Sequence, residues 1–204
     1  DLLQAASWSV PDSVPYDSTY LDGKFGAWLE GNAVVTPDGN VADLLRVDYA
    51  PGPEYAALIR LRDSVSFDPF DPEKDFVRMP GGAKKFTVRY DSLSGRYWSL
   101  VNYVTQEWAG KQNPAWVRNT LALSSSPNLQ EWTVHRTVLH HPDIAKHGFQ
   151  YADWLFDGND IVLLSRTAYD DNGTGAHNCH DANYMTFHRI KDFRKALTEQ
   201  AGNR

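Results

Sequence analysis

The chain has 204 residues, a formal net charge of −6 and one cysteine, Cys179. That length accommodates one or two domains with a sizeable core. The acidic balance, with no basic run, excludes nucleic acid as the main partner; one cysteine excludes an intrachain disulfide, and no apolar run approaches the roughly 18 residues of a membrane span.

The first residues, DLLQAASW, carry no signal peptide and read like the middle of a longer protein. Residues 1–20, with SWSVPDSV, resemble the outermost strand of a preceding sheet. Residues 28–48 (WLEGNAVVTPDGNVADLLRVD) predict a hairpin: two short β-rich segments flank Pro37, Asp38 and Gly39, where proline fixes φ and glycine tolerates a positive one. Antiparallel pairing then brings Glu30 and Arg46 to one edge. Such a pair is either a site or an exposed structural ion pair.

Residues 56–62 (AALIRLR) and 76–79 follow as third and fourth strands. Between them, 63–83 is a long loop with prolines and a closing Gly-Gly. The pattern returns in 85–105 (KFTVRYDSLSGRYWSLVNYVT), with 120–126 and 132–139 as outer strands. It returns again in 150–169 (QYADWLFDGNDIVLLSRTAY), with 184–190 as a third strand. Second strands end at matching polar positions, Arg46, Asn102 and Arg166. Only 191–200 offers helical periodicity.

A strand–turn–strand unit recurring about every 60 residues predicts an all-β propeller of four-stranded antiparallel blades. The expected organisation is a single partial domain over 1–204, with blades at 25–80, 84–140 and 147–195. Three blades do not close a ring, since propellers typically have about four to eight. A missing N-terminal half, or a second chain, is expected to complete six blades.

These residues resemble bacterial sialidases and related Asp-box propeller glycosidases. In that family a Glu opens an inner strand, a turn with Asp-Gly follows, and the next strand ends on Arg; Glu30, Asp38-Gly39 and Arg46 stand in that order. A second Arg precedes a Ser-rich turn and Trp, as Arg118 does in RNTLALSSSPNLQEW. An aromatic strand then carries Tyr, a small residue and Asp, as in QYADWLFDG with Tyr151 and Asp153. The ordered matches cover 28–169. Two departures stand out: Pro127 and Leu129 occupy the usual Asp and Gly of the Asp-box, and Arg166 stands where an acidic residue is common.

The resemblance implies removal of a terminal, acidic sugar from a glycan, without a cofactor, outside the cytoplasm (extracellular or periplasmic). A carboxylate on the anomeric carbon repels an anionic nucleophile, so a neutral Tyr activated by Glu serves instead. Tyr151 is then the nucleophile and Glu30 its base. Arg46 and Arg118 clamp the carboxylate through planar guanidinium groups, and Arg166, Lys85, Asn102, Asp153 and His147 join the substrate contacts. The general acid and a further arginine belong to sequence upstream.

Two other functions remain open. His147 with Tyr151, with Lys85, Arg118 or Arg166 neutralising the uronate carboxylate, suits a propeller lyase acting on uronate glycans. Trp28, Trp98, Trp116 and Trp154 suit a non-catalytic sugar binder, although tryptophans alternating with polar residues on strands also suit a core. His177, His180 and Asp181, beside Cys179, are weak zinc candidates because adjacent Cys-His is awkward spacing for one metal; a hydrogen-bonded polar loop is the simpler reading. His140 and His141 precede Pro142 as turn residues.

Overall fold

The computed structural model describes residues 1–9, 13–49, 54–63, 65–170 and 175–199. Strands β1 (Ala27–Val35) and β2 (Val41–Asp48) form the first hairpin. Its turn closes by two backbone bonds between Thr36 and the Gly39–Asn40 segment, each 2.9 Å. Gly39 takes φ 84° there, and Asp38 accepts bonds from the Thr36 hydroxyl and, at 2.7 Å, from the Asn40 amide. The polar turn residues satisfy one another, so the loop needs no help from the core.

With β3 (Tyr55–Leu61) and β4 (Phe76–Arg78) these strands make a four-stranded antiparallel sheet. A second sheet runs in order through β5 (Thr87–Asp91), β6 (Arg96–Asn102), β7 (Thr120–Ser126) and β8 (Thr133–His140). The third is β9 (Gly148–Asp157), β10 (Asp160–Ala168) and β11 (Tyr184–Ile190), three strands among the described residues. Inner strands β1, β5 and β9 lie side by side. The sheets do not close, and the fold is an all-β, three-blade part of a propeller.

Boundaries differ slightly from the sequence expectation. Strand β8 begins after Trp132 because the indole Nε1–H donates to the Leu129 carbonyl at 2.9 Å and belongs to the preceding turn. The anticipated strand in 1–20 lies partly outside the described residues; the described part holds a 3-10 turn, Ala5–Ser7, with Trp8 exposed. Residues 193–199 wind into one 3-10 turn and one helical turn. No helix among the described residues is long and apolar enough to cross a membrane.

The second sheet explains the core. Along β6, Tyr97 and Val101 point into one cluster with Leu44, Leu58 and Val88, whereas Trp98 and Leu100 point into another with Trp154, Ile161 and Phe193. A strand's period of two sends alternate side chains to opposite faces, and both faces are covered. Strand β7 is therefore buried throughout, its serines included. Trp98 and Trp154 are core residues at 0% and 2% exposure, Trp28 packs among Phe25, Phe70 and Phe76, and only Trp116 of the four is exposed.

Polar bonds lock the blades together. Lys85 Nζ donates to the Gly31 carbonyl at 3.2 Å, the Val88 N–H to the Asn32 side chain, and Trp154 Nε1 to the Thr87 carbonyl at 3.1 Å. The C-terminal turn is fastened by Arg194, whose Nε and Nη2 meet both Asp91 oxygens at 2.8 and 2.7 Å. Burial works to raise the Asp91 pKa, but the bonds from Arg194 and Ser94 outweigh it and hold the value low. A carboxylate with a depressed folded pKa contributes stability above its unfolded value, near 3.9, and loses it as pH falls through the folded one. Asp91→Asn should therefore cost about 3 kcal/mol or more at neutral pH and flatten the acid limb of a stability–pH profile measured by urea unfolding.

Candidate functional site

The expected residues gather at the ends of the blades where β1 and β9 begin. Both inner strands bulge there. Leu29 and Glu30 together face Arg46, since Trp28 pairs with Val47 and Gly31 with Leu45. Tyr151 and Ala152 together face Ser165 in the same manner. A bulge re-aims the side chains it carries. Tyr151 pays for this with φ 51°, a left-handed backbone that a bulky residue adopts at a cost of about 1–2 kcal/mol.

Glu30 accepts from Arg46 Nη1 at 3.0 Å, while Arg46 Nε donates to the Ala83 carbonyl at 2.8 Å. Burial acts to raise the Glu30 pKa, but its own backbone N–H, Arg46 and Lys85 together bring it below the usual carboxylate value. Glu30 is thus an ionised carboxylate held by an arginine. Tyr151 lines a cleft of ≈ 370 Å³ with Asn32, Lys85, Thr87, Arg89 and Asp153. The Arg166 guanidinium lies 4.8 Å from the centre of the Tyr151 ring. Asp153 is exposed and accepts from Arg89 at 3.1 Å.

Arg118 is the buried member, 5% exposed. Its Nε donates to the Ala115 carbonyl at 2.9 Å and its Nη1 to Gln150 Oε1 at 3.0 Å, both neutral oxygens. Burial pushes its pKa down, the nearby Tyr151 hydroxyl works the other way, and Arg46 and Arg166 add to the depression. A guanidinium stays charged regardless. Arg166 bonds the His180 carbonyl at 3.1 Å and Lys85 the Gly31 carbonyl. Among the described residues, Arg118 and Arg166 have no carboxylate partner, whereas Lys85 acts at a distance on the Glu30 and Asp43 carboxylates, so the rim is rich in positive charge beside a tyrosine hydroxyl.

Two expected residues have other duties. Asn102 is buried, its amide donating to the Phe149 carbonyl at 2.5 Å and to the Arg118 and Thr120 carbonyls. His147, also buried, has Nδ1 2.8 Å from Asp143, and its Nε2 accepts the Asp170 N–H at 3.2 Å. With both ring nitrogens engaged, neutral His147 has no lone pair left for a substrate proton or a metal. That applies although His141, Asp143 and His147 form a compact group with stacked imidazoles 3.4 Å apart. His177 is exposed, and His180 and Asp181 contact each other at 3.5 Å.

Lys84, Glu54 and Gln150 escaped sequence reasoning. Lys84 is fully buried, bonded to the Glu54 carboxylate and, at 2.9 Å, to the Pro114 carbonyl. Burial lowers its pKa, and Arg118 and Arg46 lower it further against the pull of Glu54. The only sequence signal was the Gly81-Gly82 pair. Gly81 has φ 77°, and a Cβ on Gly82 would sit 2.4 Å from the Tyr55 carbonyl oxygen, so the loop folds tightly enough to drive Lys84 inward. Glu54→Gln should cost about 3–5 kcal/mol in chemical denaturation by stranding that ammonium, and adding Lys84→Met should recover most of the loss.

No protein-family model and no curated protein matches the chain. Solved structures do match. An α-L-arabinanase of Penicillium chrysogenum, complexed with arabinobiose, superposes with a TM-score of 0.52 and 12% identity, over 87% of this chain and 49% of its own. The α-L-arabinofuranosidase Arb93A of Fusarium graminearum gives 0.50 and 8%, over 87% and 48%. The likeness is one of fold. Both are propeller glycoside hydrolases, and the chain spans about half the length of each. A leech intramolecular trans-sialidase reaches a TM-score of 0.49 at 16% identity, over 84% of this chain and 24% of its own, too distant to support an argument.

Proposed function

We propose that this chain supplies one wall of the active site of an exo-glycoside hydrolase that releases a terminal acidic sugar. The observation that carries the proposal is the buried Arg118 guanidinium. Among the described residues it has only neutral oxygens for hydrogen-bond partners, and it feels the Tyr151 hydroxyl and the charges of Arg46 and Arg166. Keeping a charge out of water without a counter-ion costs several kcal/mol, a cost offset when a substrate carboxylate arrives. The fold neighbours act on glycans by their names, which agrees with a carbohydrate substrate.

In this reading Arg118, Arg46 and Arg166 take the carboxylate and Lys85 lines the approach. The Tyr151 oxygen attacks the anomeric carbon as the bond to the leaving oxygen breaks, and Glu30 takes the phenol proton. Glu30 suits a base because Arg46 and Lys85 keep it ionised. The Arg46 bond must yield or swing for Glu30 to reach Tyr151. Water then attacks the anomeric carbon, giving its proton to the group that had protonated the leaving oxygen; the bond to the tyrosine oxygen breaks, Glu30 returns the phenol proton to that oxygen, and the free sugar leaves. Protonation of the leaving group is assigned to none of these residues; it falls to the blades that complete the ring, from an N-terminal half or a second chain. A glycan substrate of this kind places the protein outside the cytoplasm.

The ring-completed protein should release a free acidic sugar from a sialylated or uronylated glycan. Tyr151→Phe should reduce that release by more than about 10³-fold with little change in KM, as expected when a nucleophile is removed. An ultraviolet-absorbing unsaturated uronate among the products would overturn hydrolysis in favour of elimination, and binding without turnover would leave a lectin-like module.

A further inference from the structure

Segment 178–181 contributes through its backbone rather than through the side chains weighed as zinc candidates. Gln150, immediately before Tyr151, is fully buried. Its Nε2 donates to the Cys179 carbonyl at 2.8 Å and the His180 carbonyl at 2.7 Å, which leaves Oε1 facing Arg118. The His180 carbonyl also accepts from Arg166. Arg118 and Arg166, which have no carboxylate partner among the described residues, thus hang from one short stretch of chain.

That stretch is itself held. Asn178 Oδ1 accepts the His180 and Asp181 N–H groups at 2.8 and 3.0 Å, and its Nδ2 donates to Asp181 at 2.8 Å. Gly148 lets the stretch press onto β9, since a Cβ there would lie 2.3 Å from the Cys179 carbonyl oxygen. Side-chain chemistry leaves position 150 little choice. Glutamate cannot donate to two carbonyls, lysine and arginine cannot accept from a guanidinium, and asparagine is one methylene shorter.

We infer that Gln150 is a positioning residue, and Asn178 its remote support, which together fix the spacing of Arg118 and Arg166 and so set the preference for an anionic over a neutral sugar. The inference rests on the proposed carboxylate clamp and adds the device that shapes it. Gly148 and Asn178 contact no substrate in this scheme.

The test uses N-acetylneuraminic acid and glucuronic acid, each against its neutral carboxamide, with affinities read by calorimetry on the ring-completed protein. Alongside it, phenylglyoxal labelling of Arg118 is mapped by mass spectrometry. Gln150→Met should lose about tenfold or more of the acid-over-amide preference, as for a lost bond to a charged group, and Asn178→Ala several-fold, while amide affinity stays level. Arg118, protected in the parent protein, should become reactive in both variants before any global unfolding. Loss of preference in Arg118→Met but not in the Gln150 or Asn178 variants overturns this inference and leaves the clamp standing. An unchanged preference in Arg118→Met overturns the clamp and the selectivity role, and continued protection of Arg118 in Gln150→Met overturns the anchoring as well.

Discussion

Positive charge packed out of water is the constraint that shapes the rim of these blades. Lys84 and Arg118 are buried and Arg46 nearly so, yet among the described residues only Glu54 and Glu30 are bonded to them as counter-ions. Like charges in a low-dielectric setting repel strongly, so each cation is tied by carbonyls: Ala83 for Arg46, Pro114 for Lys84, Ala115 for Arg118 and His180 for Arg166. Those carbonyls come from loops, which explains why the loops here are tightly wound and hydrogen-bonded. The cations organise the loops as much as the loops position the cations.

The second consequence concerns how blades meet. Strands β6 and β7 are covered on both faces, and the inner strands exchange side-chain bonds across the blade boundaries. A change in one blade is therefore transmitted to its neighbour through packing. Asn102 illustrates this: from β6 it reaches the carbonyls of Arg118, Thr120 and Phe149. It joins the second blade to the start of β9, at Phe149, two residues before Tyr151.

The strands were legible because hairpin chemistry and period-two alternation are local. The turn of Pro37, Asp38 and Gly39 and the apolar run of β10 declare themselves in a window of a few residues. The pairing of Glu30 with Arg46 was legible through the hairpin, whereas the contact of Arg166 with the Tyr151 ring was not foreseen. The burial of Lys84 was not, since two adjacent lysines look alike until the Gly81-Gly82 loop decides which one turns inward. The bulges were also invisible, because they depend on cross-strand register. Gln150 read as an ordinary strand polar residue, and Asn102 as a substrate contact, for the same reason: their partners lie on other blades or distant loops. The turn after β7 departs from the expected motif yet keeps a workable geometry, with Leu129 at φ 66° and Asn128 accepting the Gln130 and Glu131 N–H groups.

The left-handed backbone at Tyr151 has a consequence for how this position behaves under selection. Glycine or asparagine fits that conformation more comfortably than an aromatic side chain does. A library randomised at 151 and enriched for thermal stability alone would drift away from tyrosine, whereas one enriched for the proposed hydrolysis would hold it. Divergence between those two enrichments would measure, at a single codon, how far the fold has been bent to serve chemistry.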